Sequence, residues 1–252
     1  GLGVILVGED PASKAYVKNK ENFAKRCGFY AKQITLERTV KEDEVLRRVE
    51  ELNNDPLIDG ILVQLPLPSH IDSNKVIEKI DPNKDADGLH SMNQGKLLKD
   101  IEAPVPCTPA GVMYLLDSLY GKRVDLSGKK AVVIGRSVLV GKPIGILLLQ
   151  RNATVIYTHS RTKDIESVCK DADIIVAAVG KPNIVKKDWV KKEAIVLDVG
   201  INRLESGKLT GDVDFEDVKD TVSAITPVPG GVGPMTVAML MQNTFKCYSK
   251  RE

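Results

Sequence analysis

The stretch "KKAVVIGRSVLVGKPIGILLLQ", Lys129 to Gln150, reads as strand, glycine turn and helix in immediate succession. An apolar run follows two lysines, Gly135 ends it, and Gly141 opens a longer apolar segment of helical length. Such a turn offers backbone N–H groups and a helix N-terminus to the space beyond the strand, which suits the pyrophosphate of a dinucleotide. The spacing is G-x-x-x-x-x-G rather than GxGxxG, so taken alone the pattern also fits a plain strand-to-helix turn.

Working outward, apolar runs bounded by Gly, Pro and Asp alternate with helical patterns. Strands are expected at Gly3–Val7, Ile58–Leu65, Lys130–Gly135, Thr154–Thr158, Asp173–Val179 and Ala194–Val199. Helices are expected at Ala12–Cys27, Lys41–Asn54, Val140–Gln150 and Thr162–Lys170. Val/Ile-rich strands alternating with helices predict an α/β fold with parallel sheets. Between Pro82 and Pro109 the periodicity lapses, then "AGVMYLLDSLYG" reads as a helix and "VDLSGKKAVVIG" opens a fresh β unit. A last helix, Met235 to Cys247, follows "TPVPGGVGP". The chain is therefore expected to form two α/β lobes around a cleft: 1–111 with 236–252, and a Rossmann-like lobe over 112–235.

Composition narrows the function classes. The 252 residues carry a formal net charge of +2, which gives no electrostatic footprint for nucleic acid. No apolar run approaches the ~20 residues of a membrane helix, so neither a nucleic-acid nor a membrane partner is expected. Cys27, Cys107, Cys169 and Cys247 form no CxxC pair, and no HExxH or EF-hand pattern occurs, so no metal is expected. The cysteines read as reduced thiols of a cytoplasmic protein. The chain opens "GLGVILVGED", without Met and inside a strand pattern, so upstream sequence is expected and nothing is legible of a targeting peptide.

In the second lobe, the strand at Thr154–Thr158 ends in "THSRT". An NAD-preferring site places Asp or Glu there for the ribose 2′-OH. Here stand His159, Ser160 and Arg161, with Arg136 in the glycine turn. Cations and a hydroxyl suit a 2′-phosphate, which points to NADP; a surface arginine is the competing reading for Arg161. "VLDVGINR" puts Gly200 and Ile201 at another strand end, where a small residue permits close approach to a ring or simply makes a turn.

The first lobe raises a different question. On a helical wheel with Tyr16 at zero, Lys14, Lys18 and Lys25 fall between ~160° and ~200°, on one polar face. Lys20 falls near ~40°, among Phe23, Cys27, Ala24 and Val17. A lysine in an apolar stripe breaks the binary pattern, as functional residues do; a snorkelling lysine is the alternative. Desolvation disfavours the charged form of an amine and moves it toward acid–base work. Tyr16 lies one turn earlier on the same face. In "DGILVQLPLP", Gln64 ends a buried strand and can both donate and accept, or merely cap the loop. In "DPNKDADGLH", Asp85 and Asp87 precede Gly88 in a turn, and a carboxylate there could take two N–H donors from an aminopyrimidine-like ring, or sit in an Asx turn.

Together, "VGEDPASKAYVKNK", "DGILVQLPLP", "PNKDADG", "PCTPAG", "VVIGRSVLVGKP", "DVGINR", "GDVDF" and "TPVPGGVGPMTVAML" closely resemble the bifunctional methylenetetrahydrofolate dehydrogenase/methenyltetrahydrofolate cyclohydrolase family, in the expected order. "VQLPLP" and "PGGVGPMT" are its most specific pieces. The resemblance implies a folate lobe and an NADP lobe, oxidation of 5,10-methylenetetrahydrofolate and hydrolysis of the methenyl product to 10-formyltetrahydrofolate. It implies Lys20 as the catalytic lysine, with Tyr16, Gln64 and Asp87 as its companions. Tyr16, Gln64, Leu65, Asp87, Gly230, Gly231 and Pro234 would contact tetrahydrofolate derivatives. Gly135, Arg136, Ser137, Ser160 and Ile201 would contact the cofactor. It further implies a homodimer and a role in one-carbon metabolism that feeds purine biosynthesis. An NADP-dependent dehydrogenase of another small substrate, and a non-catalytic dinucleotide-sensing protein, are the competing functions.

Overall fold

A computed structural model describes residues 1–251. It divides into two compact units, Gly1–Cys107 with the segment from Val237 onward, and Thr108–Thr236.

In the first unit a wholly buried strand, β1 (Leu2–Val7), leads into helix α1 (Pro11–Arg26). Next come β2 (Ala31–Leu36), α2 (Glu42–Asn54) and β3 (Gly60–Val63). Two short helices follow, α3 (Ser73–Glu78) and α4 (Ser91–Leu98). The sheet is parallel, in the order β2-β1-β3. Ile5, Val7, Ile61 and Val63 pack on Val45, Val49 and Leu52 of α2 to make one core. The strand order reverses between β1 and β3, and ligands of open parallel sheets bind beyond the carboxyl ends at such a point.

The second unit begins with most of α5 (Cys107–Tyr120). It continues through β4 (Lys130–Ile134), α6 (Gly141–Leu149), β5 (Thr154–Thr158), α7 (Ile165–Cys169), β6 (Ile174–Ala177) and β7 (Ile195–Asp198). A small antiparallel pair, β8 (Asn202–Arg203) and β9 (Leu209–Thr210), precedes α8 (Phe215–Val218) and β10 (Ala224–Ile225). The terminal helix α9 (Val232–Ser249) starts in this unit and runs on into the first. The main sheet is parallel in the order β10-β7-β6-β4-β5. Side-chain alternation feeds two cores. Ala131, Val133, Val176 and Leu197 face Leu116, Ile144 and Leu148, while Val132, Ile134, Ile175 and Val196 face Cys169, Val185 and Val218. The switch point lies between β4 and β6.

The parallel α/β architecture is as expected, with differences at particular elements. The Ile58–Leu65 pattern yields only a four-residue strand, Gly60–Val63: Ile58 and Asp59 lead in through loop contacts, and Gln64 adds one last backbone bond to Ile5 before the chain leaves the sheet. Nothing in the periodicity of "AKQITL" marks β2, an edge strand only partly covered. The span from Pro82 to Pro109 holds α4, whose N-terminus is capped by the His90 ring accepting from the Met92 amide at 3.1 Å. Among the described residues, no helix is long and apolar enough to cross a membrane.

Candidate active site

Burial separates the lysines of α1. The helix starts cleanly because Pro11 needs no N–H partner there and Asp10 accepts from the Ser13 amide at 2.7 Å. Ser13, Val17, Lys20 and Ala24 form its buried face, and Lys20 is 8% exposed. Their i, i+4, i+7, i+11 spacing centres that face near ~70° on the wheel. Tyr16, one turn before Lys20, lies about 70° from the centre and is 42% exposed, at the edge of the buried face. Cys27, the C-cap just past the last helical residue, is exposed.

Lys20 Nζ donates to Gln64 Oε1 at 2.9 Å. Gln64 is aimed by its surroundings. Its amide N–H bonds to the Ile5 carbonyl at 2.9 Å, extending the β1–β3 ladder by one residue. Its Nε2 donates to the Leu65 carbonyl at 2.7 Å, which leaves Oε1 turned to the lysine. Strand β3 also places the aspartate turn, because Ile61 donates to the Lys84 carbonyl at 2.6 Å and bridges to Asp85. Asp85 is internal: it accepts from the His90 amide at 2.9 Å, the Leu89 amide at 3.2 Å and Asn93 Nδ2 at 2.9 Å. Burial pushes its carboxyl upward despite these donors. Asp87, two residues on, is half-buried.

Two further residues join this site that sequence reasoning did not single out. Cys107 is buried, and its thiol is pushed well up by burial and then by the Asp87 carboxylate, with Lys20 acting in the opposite sense. Amine, carboxylate and thiol therefore surround one spot. Asn243, buried on α9, donates to the Ala86 carbonyl at 2.9 Å and the Val105 carbonyl at 2.8 Å, fixing the backbone beside Asp87. The intact "PCTPAG" motif was the available signal for Cys107; for Asn243 there was none.

The second unit holds a cavity of about 460 Å³ at its switch point, bordered by Gly135, Arg136, Ser137, His159, Ser160 and Lys181 among others. Gly135 has φ +122°, and a Cβ there would strike the Ala178 carbonyl oxygen, so this glycine serves the turn itself. Ser137 Oγ accepts from the Val140 and Gly141 amides at 3.2 and 3.3 Å, capping α6. Its lone pairs serve the helix and its O–H remains a donor. The lining includes two cations and, among the described residues, no carboxylate, which fits a polyanionic dinucleotide. Ile201 does not border this cavity and is 45% exposed. Gly230 and Gly231 border a different cavity of about 230 Å³ with Leu115, β7 and β10, and Pro234 is exposed in the first turn of α9. Among the described residues no group of three or more His, Cys, Asp or Glu could hold a metal ion.

Two family models match the chain. The catalytic domain of tetrahydrofolate dehydrogenase/cyclohydrolase covers residues 1–87, and the NAD(P)-binding domain of the same family covers residues 106–252. The chain belongs to this family. It is 57% identical over 254 residues to a bifunctional FolD protein of Brucella anthropi, covering 97% of this chain and 84% of that one. It is 53% identical over 246 residues to one of Streptococcus thermophilus, covering 98% and 86%. The structure matches the bifunctional FolD enzyme of Campylobacter jejuni with a TM-score of 0.96 and 49% identity, covering 100% of this chain and 88% of that one. It also matches the Trypanosoma brucei dehydrogenase-cyclohydrolase, solved with NADP and an inhibitor, with a TM-score of 0.94 and 39% identity, covering 100% and 87%. In this tetrahydrofolate dehydrogenase/cyclohydrolase, then, Lys20, Gln64 and Asp87 lie in the part matched by the catalytic model, while Cys107, Asn243 and the switch-point cavity lie in the part matched by the NAD(P) model.

Proposed function

We propose that this chain oxidises 5,10-methylenetetrahydrofolate with NADP and hydrolyses the resulting methenyl compound to 10-formyltetrahydrofolate. The observation that carries the reading is the convergence of Lys20, Gln64 and Asp87 beside one another in the first unit. Family membership supplies the substrate class. The first unit takes the folate and the second takes the cofactor.

Oxidation removes a hydride from the one-carbon unit, leaving a cation stabilised by the adjacent ring nitrogen. NADP, when bound, accepts that hydride. The chain's own residues orient and hold. Asp87 receives two N–H donors of the pterin, a bidentate contact that fixes the ring. Tyr16, exposed at the rim of the buried face, offers a ring for stacking. In hydrolysis, water adds to the methenyl carbon and loses a proton, and the bond from that carbon to N5 then breaks, N5 keeping the electron pair and taking up a proton. The Lys20 amine positions that water and, in its neutral form, takes the proton; Gln64 Oε1 fixes where the amine points. Arg136, Ser137 and Ser160 meet the 2′-phosphate in the cation-lined cavity, which supports NADP over NAD. The carry-over of Leu65, Gly230, Gly231 and Pro234 to the folate, and of Ile201 to the nicotinamide, rests on the resemblance. So does a cytoplasmic homodimer supplying purine biosynthesis; light scattering at micromolar concentration tests the dimer.

Supplying folded protein with methylenetetrahydrofolate and NADP should produce the methenyl absorbance. No absorbance with NADP or NAD would refute the dehydrogenase reading.

A further inference from the structure

We propose that Asp212, held in place by Asp198, is a positioning residue that sets one wall of the dinucleotide cavity by filling a backbone anion nest from inside the protein. The consecutive amides of Val179, Gly180 and Lys181 all donate to the Asp212 carboxylate, at 2.6, 3.0 and 2.9 Å. Gly180 has φ +65°, the left-handed turn that lets successive N–H groups point into one concavity. Such nests hold phosphates and other anions. Here the anion is the chain's own side chain, which is fully buried. Val179 and Lys181 at the same time border the cavity.

Asp212 also accepts from Asn202 Nδ2 at 2.9 Å, one residue beyond Ile201. One carboxylate thus ties the loop after β6 to the loop after β7. A second carboxylate stands behind it. Asp198 accepts from the Gly200 and Asp212 amides with Oδ1 and from the Val213 amide with Oδ2, each at 2.9 Å. Two glycines make room for the pair. A Cβ on Gly200 would collide with the Asp212 carboxylate, and one on Gly211 with that of Asp198. The glycines of "DVGINR" and "GDVDF" therefore make room for these carboxylates.

Two consequences follow for the cofactor. The nest amides are turned away from it, so its phosphates are left to Arg136, Ser137, Ser160 and the N-terminus of α6. The position of the Val179–Lys181 wall depends on a carboxylate that touches no ligand. The inference rests on reading this cavity as the cofactor site.

The test is Asp212→Asn in the full chain, with NADP affinity measured by calorimetry and both activities followed. An asparagine sets N–H groups against the nest amides, so the wall must shift. The Kd and KM for NADP should rise roughly tenfold or more, the scale of losing a hydrogen bond to a charged group. Hydrolysis of added methenyltetrahydrofolate, which needs no cofactor, should keep its rate. Asn202→Ala removes a single peripheral bond and should move the Kd in the same direction by about threefold. An unchanged Kd in folded Asp212→Asn overturns the inference. So does a parallel fall of hydrolysis, cofactor binding and Tm, which would make the residue merely structural. If Asp212→Asn does not fold, an unchanged Kd in Asn202→Ala overturns it. Wild-type protein that binds NADP but oxidises no folate would refute the proposed function and leave the Kd comparison valid.

Discussion

Replacing Gln64 with leucine probes the lysine site where it is most sharply defined. The Gln64 Oε1 atom lies 2.9 Å from Lys20 Nζ, and the lysine is 8% exposed. Leucine fills similar space without an acceptor. A buried amine deprived of a hydrogen bond of this kind loses about 1.5–3 kcal/mol of orientation toward its partner. If that orientation is needed at the transition state, kcat for methenyl hydrolysis falls by about 10–150-fold. The oxidation step asks for alignment of substrate and cofactor rather than for the amine, so it should fall less. The assay is decay of methenyl absorbance at saturating substrate, with circular dichroism as the check on folding. Gln64→Glu makes a second arm: its carboxylate holds Lys20 as an ammonium in an ion pair, and hydrolysis should again fall. Folded Gln64→Leu that hydrolyses at the wild-type rate would refute the positioning role.

Further outcomes are expected in the second unit. Arg136→Ala should weaken NADP about tenfold or more and NAD little, as loss of a charge-assisted phosphate contact requires; equal weakening in competition binding would remove Arg136 from the 2′-phosphate. Burial pushes Asp198 from its ordinary 3.8 up to about 6, against the pull of three backbone amides and with Asp212 adding to the rise. The folded state therefore binds this proton more tightly than the unfolded state. The favourable contribution is complete below pH 3.8 and is lost as pH rises to about 6, roughly 3 kcal/mol across that window. Urea midpoints of wild type minus Asp198→Asn should shift toward the variant between pH 4 and pH 6, and a constant difference would contradict the buried carboxyl. Gly211→Ala forces a methyl group against the Asp198 carboxylate; overpacking of about 1–3 kcal/mol should lower Tm by several degrees, and an unchanged Tm would show that the loop yields freely.

What could be read from the residues divides along physical lines. Lys20 was visible because a charge in an apolar stripe breaks a period that the chain itself displays. The exposure of Tyr16 was not legible, because the wheel gives angles but not the width of the buried face, and Ser13 and Ala24 shift its centre. Strand β2 was hidden because an edge strand with Lys32 and Gln33 need not be apolar. Helix α4 was hidden because its cap is a histidine ring and Gly95 interrupts it. Asp198, inside an expected strand, and Asp212 carried no signal of their own in the sequence. Their pairing joins positions 14 residues apart, and only the folded backbone brings the Val179–Lys181 amides to meet it. Gly200 could be read as small, but not for what.

One measurement bears most directly on the account: Lys20→Gln supplied with methylenetetrahydrofolate and NADP, followed at the methenyl absorbance beside wild type. Glutamine keeps a hydrogen-bonding group near Gln64 and removes the amine. Wild type should show the absorbance rise and then fall as 10-formyltetrahydrofolate forms. The variant should show the rise, and then decay no faster than buffer. Decay at the wild-type rate in the folded variant would contradict the assignment of hydrolysis to Lys20.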